Sequence, residues 1–255
     1  AITTSGATAA VLVTGNSTGD EGVELAGATI STVSTNTISG TATGANAGDG
    51  VALTGAATQV SSSGGAISIT GAASGGSGAG VEIVAGVTLA ISATNAASIS
   101  VVGTGDTGSG VIVDSPISSA TGDVTLQALN GTLDDVTFGT DGDITSTSGV
   151  VTVNAASGGV GFVFMADGTL IDAGSGTIDI DSDRDVTVGG LLTTSSSDTA
   201  ISITAGVTGV VGQVLDGGAG LVDLSAANGR AVIVADTGIG SGDALETTLG
   251  SLDAT

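Results

Sequence analysis

One short pattern returns three times at equal intervals: Gly48-Asp49-Gly50-Val51, Gly78-Ala79-Gly80-Val81 and Gly108-Ser109-Gly110-Val111, each leading into alternating apolar residues. A repeat of that size, made of short strands, is a unit that cannot bury its own apolar face. It must stack on its neighbours around one continuous core.

Elsewhere the apolar residues also alternate with period two, in runs separated by Gly, Asn and Asp. Examples are Val11 and Val13, Ile67 and Ile69, Ile99 and Val101, Val124 and Leu126, Ile178 and Ile180, Ile201 and Ile203, Val222 and Leu224, and Val232 and Val234. Each run reads as a strand with one face inward and one outward. No useful length carries the spacing of an amphipathic helix. Grouped by turn signals, the strands form about nine coils of roughly 22–31 residues, a size usual for solenoid repeats. They start near Ala9, Asn36, Ala66, Ala97, Val124, Val151, Ile178, Ala200 and Arg230. The expected fold is all-β, a parallel β-helix (β-solenoid) running as one elongated unit through residues 1–255. Its length would be roughly 40 Å at about 4.8 Å per coil. Asn130-Gly131 and Asn228-Gly229 supply residues that tolerate positive φ where a coil turns, and Pro116 marks a corner between strands.

Charge restricts the partners. Twenty-five acids against two bases, Arg184 and Arg230, give a net charge of −23. A phosphate backbone would be repelled, so nucleic-acid binding is excluded as an expectation. No apolar run approaches the 18 or so residues of a spanning helix, and the chain has no Trp or Tyr for the interfacial girdles of a membrane barrel. With 40% hydrophobic residues the chain has apolar surface to bury and does not read as disordered. The absence of Cys removes disulfides and thiolate metal sites.

Loose units such as Ala200-Ile201-Ser202-Ile203-Thr204-Ala205-Gly206 and Ile178-Asp179-Ile180-Asp181 resemble the repeat regions of giant secreted bacterial proteins, the filamentous-haemagglutinin-like and autotransporter-passenger adhesins. The likeness spans the whole chain. It implies a right-handed parallel β-helix, an extracellular or cell-surface location, and a role in adhesion or scaffolding. It brings no catalytic residues with it.

Enzymatic activity is not expected. The chain lacks His, Lys, Cys and Tyr, so a Ser nucleophile has no ordinary base. Asp106-Thr107-Gly108 and Asp236-Thr237-Gly238 echo the paired triplets of aspartic proteases, but these residue types are common here and one triplet lies in a repeat turn. β-Helical polysaccharide enzymes need cations or aromatic platforms, and this chain offers two Arg and three Phe. Phe138, Phe162 and Phe164 read as core plugs.

Carboxylates are the main polar resource. Asp179, Asp181, Asp183 and Asp185 alternate along one segment, and Asp141 and Asp143 follow Asp134 and Asp135 in a second cluster. Closely spaced carboxylates suit a hard cation, which makes these residues candidate ligands for calcium, the only cofactor the sequence suggests. The alternative is a row of solvated acids on an outward face. Continued alternation would point Arg184 inward, so a bend is expected near Ser182. Gly217 to Leu224 is similar to the calcium-binding nonapeptide of RTX proteins, but its Asp is displaced by one residue and the unit is not repeated in tandem. The Thr-x-Thr pairs are too irregular for an ice-binding face, and the two glycosylation-type triplets, at Asn16 and Asn130, are no more than chance predicts.

Two functional expectations remain. The first is a structural extracellular repeat protein that self-associates through its terminal coils into a filament, or that forms part of a cell-surface scaffold. The second is the stalk or binding segment of an adhesin, calcium-stabilised, whose partners are host or matrix glycans or proteins. The opening Ala1-Ile2-Thr3-Thr4 lacks the features of a signal peptide and the end carries no polar cap. The expectation is therefore a segment of a longer array, or a filament subunit.

Overall fold

The computed structural model describes residues 2–3, 9–91, 97–129, 135–156, 160–207, 211–218, 222–240 and 243–255. All of its regular structure is strand, and every strand pairing is parallel. Parallel neighbours need a crossover of a dozen or more residues. Here that crossover is the rest of a coil, so the chain passes through three strands before returning beside its starting point. The first full coil runs through Val11–Ser17, Val23–Ala26 and Thr29–Thr32 before Asn36–Thr43 pairs with Val11–Ser17.

Three ladders result. The first stacks in register Val11, Asn36, Ile67, Ile99, Val124, Val151, Ile178, Ile201 and Ala231. These nine rungs enclose about eight turns of β-solenoid. The coils differ in length: the step from Ile178 to Ile201 is the shortest and that from Ile67 to Ile99 the longest. The second ladder contains Thr29–Thr32, Gln59–Ser62, Thr88–Ile91 and Ile117–Ser119. It joins the first in the 12-residue strand Leu224–Ala235, giving an 18-stranded sheet. The third forms a separate 9-stranded sheet that includes Val51–Thr54, Val81–Ile83 and Val111–Val113.

Period two survives because only one face of each sheet is buried. In the first ladder Ile38, Ile69, Val101, Leu126, Val153, Ile180 and Ile203 lie inward, fully buried, each above its partner in the preceding coil. Side chains branched at Cβ suit this pleated, stacked surface. Burying each one contributes roughly 1.5–3 kcal/mol relative to exposure. Hydroxyls occupy one corner. Ser146 Oγ donates to the Gly122 carbonyl at 3.2 Å and accepts from Gly149 N–H at 2.9 Å, so a buried polar group completes the turn instead of remaining unpaired.

The second glycine of the repeated Gly-x-Gly-Val now has a cause: a Cβ on Gly50, Gly80 or Gly110 would lie 2.1 Å from Ala72 N, 2.2 Å from Thr104 N and 2.4 Å from Ala128 Cβ respectively, each in the first-ladder strand of the next coil. Gly40, Gly71 and Gly103 lie in register in the first ladder, where it meets the third. A methyl group at these positions would sit 1.9, 1.9 and 1.8 Å from the carbonyl oxygens of Gly50, Gly80 and Gly110 respectively. Glycine is required there by close backbone approach. Those same carbonyls accept from Val23, Val51 and Val81 N–H in the preceding coil, at 2.9–3.0 Å.

Several expectations are corrected. Ala231 and Ile233 face the core, whereas Val232 is half-buried and Val234 is 40% exposed, so the inward parity of that run is the reverse of the sequence reading. Val222 lies outside a strand and is exposed; the strand begins at Leu224. Of the three Phe, only Phe138 plugs the core, stacked between Val113 and Met165. Phe162 is partly exposed, and Phe164 points outward with 41% exposure because Val163 and Met165 take the inward positions beside it. Asn228-Gly229 is a register irregularity inside Leu224–Ala235 instead of a turn. Gly229 is glycine because a Cβ there would lie 2.4 Å from that of Ala200. Arg184 is exposed: the expected bend falls at Asp183 and Arg184, directly after Ser182. Pro116 does sit at a corner, between Val111–Val113 and Ile117–Ser119. Asn130, Gly131 and Asp134 lie outside the described residues.

Candidate functional site

Many of the acids have a structural task that the sequence does not reveal. An Asp at a coil corner accepts a hydrogen bond from a backbone N–H one coil further on. Asp49 takes Ala79 N–H at 2.7 Å, Asp123 takes Val150 at 2.8 Å, Asp135 takes Phe162 at 3.1 Å, Asp143 takes Leu170 at 2.8 Å and Asp185 takes Gln213 at 3.0 Å. Each such bond satisfies a corner donor with a charged acceptor, the stronger kind of hydrogen bond. Side chains thus join adjacent rungs where the strand ladders break.

This separates the residues expected to hold calcium. Asp143 and Asp185 are such stitches, and Asp185 also receives the Gln213 side-chain amide at 3.5 Å. Asp183 is fully buried at the bend and Asp141 is exposed on a turn. Asp179 and Asp181 stand on the outward face of Ile178–Ser182, facing Thr152 and Ser202, and Asn154 and Thr204, on the adjacent rungs. Burial, and then the charge of Asp179, push the Asp181 carboxyl above its ordinary range, against a hydrogen bond from Thr204. A cleft of about 260 Å³ lies beside Asp179, lined also by Val150, Thr177, Thr199 and Ser202.

Asp106 and Asp236 also have local surroundings. Asp106 accepts from Gly75 N–H at 2.9 Å, and Thr107 Oγ1 donates to the Gly76 carbonyl at 2.8 Å. Thr237 Oγ1 donates likewise to the Gly212 carbonyl at 3.1 Å. The two triplets follow first-ladder strands five rungs apart, a separation of about 24 Å along the axis. Their carboxylates do not form a pair.

A proton-sharing pair occurs elsewhere. Glu82, outward on Val81–Ile83, is pushed from 4.5 up to about 7 by burial and by the hydrogen bond its protonated carboxyl donates to the Asp49 side chain, with the charges of Asp49, Asp114 and Glu21 adding to it. Two carboxyls in contact cannot both stay ionised cheaply, so one of them holds a proton near neutrality.

Among the described residues, only Asp216, Asp223 and Glu246 bring three carboxylates together, with one oxygen of each within 4.8 Å of the others. Asp216 ends the third-ladder strand Gln213–Asp216, in register with Val188. Asp223 precedes Leu224–Ala235, and Glu246 precedes Thr247–Ala254 on the adjoining rung, where Leu224 pairs with Thr247. The backbone fixes the last two: Asp223 N–H donates to the Glu246 carbonyl at 2.9 Å, and Glu246 N–H donates to Asp223 Oδ2 at 2.7 Å. Asp216 Oδ1 accepts from Gly218 N–H at 2.8 Å. Burial pushes the Asp223 carboxyl from 3.8 up to about 7, helped by Asp216 and Glu246 and opposed by the Glu246 N–H. Sequence reading reached Asp223 only within the RTX-like segment and missed Asp216 and Glu246. The available signal was the offset from Asp223 to Glu246, which equals that from Ile178 to Ile201 and so spans one short coil.

Comparisons with protein families, curated proteins and solved structures find no match to this chain.

Proposed function

We propose that the chain is a non-catalytic structural element: a rod segment of an extracellular or cell-surface scaffold, of the kind its resemblance to filamentous-haemagglutinin-like and autotransporter-passenger repeats implies. The observation that carries this reading is the unbroken parallel register through about eight turns. Such a stack sets a fixed rise per coil, and its acids join rungs to one another. The same rung-to-rung pairing, made between copies, would extend the rod head to tail in a contact that does not close.

Electron microscopy and small-angle scattering of the purified chain, with calcium and with chelator, test the proposal. Fibres with a repeat of about 4.8 Å along the axis support self-assembly. Isolated rods of about 40 Å leave the spacer and remove self-assembly. A compact, isotropic particle removes both.

A recognition role, the adhesin reading, is favoured by one feature. Phe164 stands outward between Thr137 and Thr187 of the adjacent rungs, an apolar surface flanked by hydroxyls. Binding to a glycan array that survives Phe164→Ala would remove this residue from that role.

A further inference from the structure

We propose that Asp216, Asp223 and Glu246 form a calcium site that fastens two successive turns of the solenoid. Asp223 has no exposure to solvent, and its Oδ1 has no hydrogen-bond partner among the described residues. Asp216 Oδ2 and Glu246 Oε2 are likewise shielded, with no hydrogen-bond partner among the described residues. Each residue therefore keeps a free acceptor oxygen, while Oδ1 of Asp216 and Oδ2 of Asp223 are held by backbone N–H groups that fix the orientation of those side chains. Leaving a buried carboxylate oxygen uncompensated costs several kcal/mol in general, so each of these three calls for a positive partner.

Distance suits the ion. Calcium binds oxygen at 2.3–2.6 Å, so two ligands of one ion lie at most about 5 Å apart. The three carboxylates come within 4.8 Å of one another. An all-oxygen, anionic donor set selects a hard cation, and a chain without Cys or His offers soft metals none of their preferred ligands. The protein's own cations are few, and Arg230 Nε is committed to the Asp198 carbonyl at 2.6 Å. Asp216 and Asp223 flank one corner and Glu246 belongs to the next rung, so an ion held by all three links neighbouring coils.

Calorimetric titration of calcium into the full chain tests this directly, since no Trp or Tyr is present to report binding by fluorescence. Excess magnesium and moderate salt suppress diffuse binding to the acidic surface. One calcium per chain is expected, with affinity falling at least tenfold in Asp223→Asn, Asp216→Asn and Glu246→Gln. At a hundredfold excess over Kd, calcium should raise the melting temperature of these turns by about 5–10 °C, and each variant should lose that increment. In chelator Asp223→Asn should melt no lower than the parent, because it removes a buried acid. The other two substitutions alter less buried side chains and serve if Asp223→Asn does not fold. Calcium affinity unchanged in the variants, only weak binding at many sites, or a calcium-independent melting temperature would overturn the proposal. So would loss of calcium binding in Asp179→Asn with Asp181→Asn but not in these three variants.

Discussion

Replacing Glu82 by Gln should stabilise this protein, and only above a defined pH. Glu82 stands outward on Val81–Ile83, hydrogen-bonded to Asp49 and within the fields of Asp114 and Glu21. Its folded pKa of about 7 lies above the ordinary 4.5. The folded state therefore binds the proton more tightly than the unfolded chain does. The stability this contributes is complete below about pH 4.5 and is lost as pH rises through about 7. That displacement is equivalent to roughly 3 kcal/mol. The side chain is only half-buried, so solvent screening reduces the value to about 1–2 kcal/mol. Gln retains a donor for Asp49 and carries no charge at any pH. Urea unfolding followed by far-UV circular dichroism should give equal stabilities for parent and variant near pH 4.5. Around pH 8 the variant should be more stable by about 1–2 kcal/mol, or about 3–6 °C in Tm. Comparing the two proteins cancels the general repulsion among the other acids. A difference that does not vary with pH, or a variant less stable at alkaline pH, would refute the reasoning.

Leu126 is fully buried between Val101 and Val153, so Leu126→Ala should cost about 2–5 kcal/mol in urea unfolding. Gly71→Ala places a methyl group 1.9 Å from the Gly80 oxygen and should cost about 2–3 kcal/mol, whereas outward Ser68→Ala should change stability by about 0.5 kcal/mol or less. Ile233→Asp should abolish folding of its coil while Val232→Asp is tolerated, because only Ile233 lies inward; limited proteolysis separates the two outcomes. Asp143→Asn weakens a charged acceptor for Leu170 N–H and should lower stability by about 1 kcal/mol at pH 7 in urea unfolding.

Legibility followed the physics of the solenoid. Each sheet has one dry and one wet face, so alternation located the strands, and most coil starts fell within two residues of the observed rungs. The Gly-x-Gly-Val repeat was visible, although its cause, the close approach of Gly50, Gly80 and Gly110 to the first-ladder strand of the next coil, lies in the packing of coil on coil. Alternation failed where all residues of a run are apolar. Ala231-Val232-Ile233-Val234 carries no polar marker, and the register irregularity between Ala226 and Arg230 reset the parity. Val163, Phe164 and Met165 misled for the same reason, since size does not decide which of three apolar neighbours turns inward. The acidic site was nearly illegible. Asp216, Asp223 and Glu246 share no local motif and meet only through the coil register. The alternating Asp179 to Asp185, conspicuous as a string, are dispersed by that same register onto a face, a buried bend and a rung-to-rung stitch.

The central claim is the parallel register, and pulsed electron spin resonance measures it most directly. The chain contains no Cys, so pairs of spin labels can be placed without background. Thr37, Ser68, Ser100, Thr125, Thr152, Asp179 and Ser202 stand one above another on seven successive rungs. Labels at Thr37→Cys and Thr152→Cys should be separated by about 19 Å, and labels at Thr37→Cys and Ser202→Cys by about 29 Å, a linear increase of about 4.8 Å per rung. Distances that fail to grow with rung number, or that follow sequence separation instead, would contradict the solenoid.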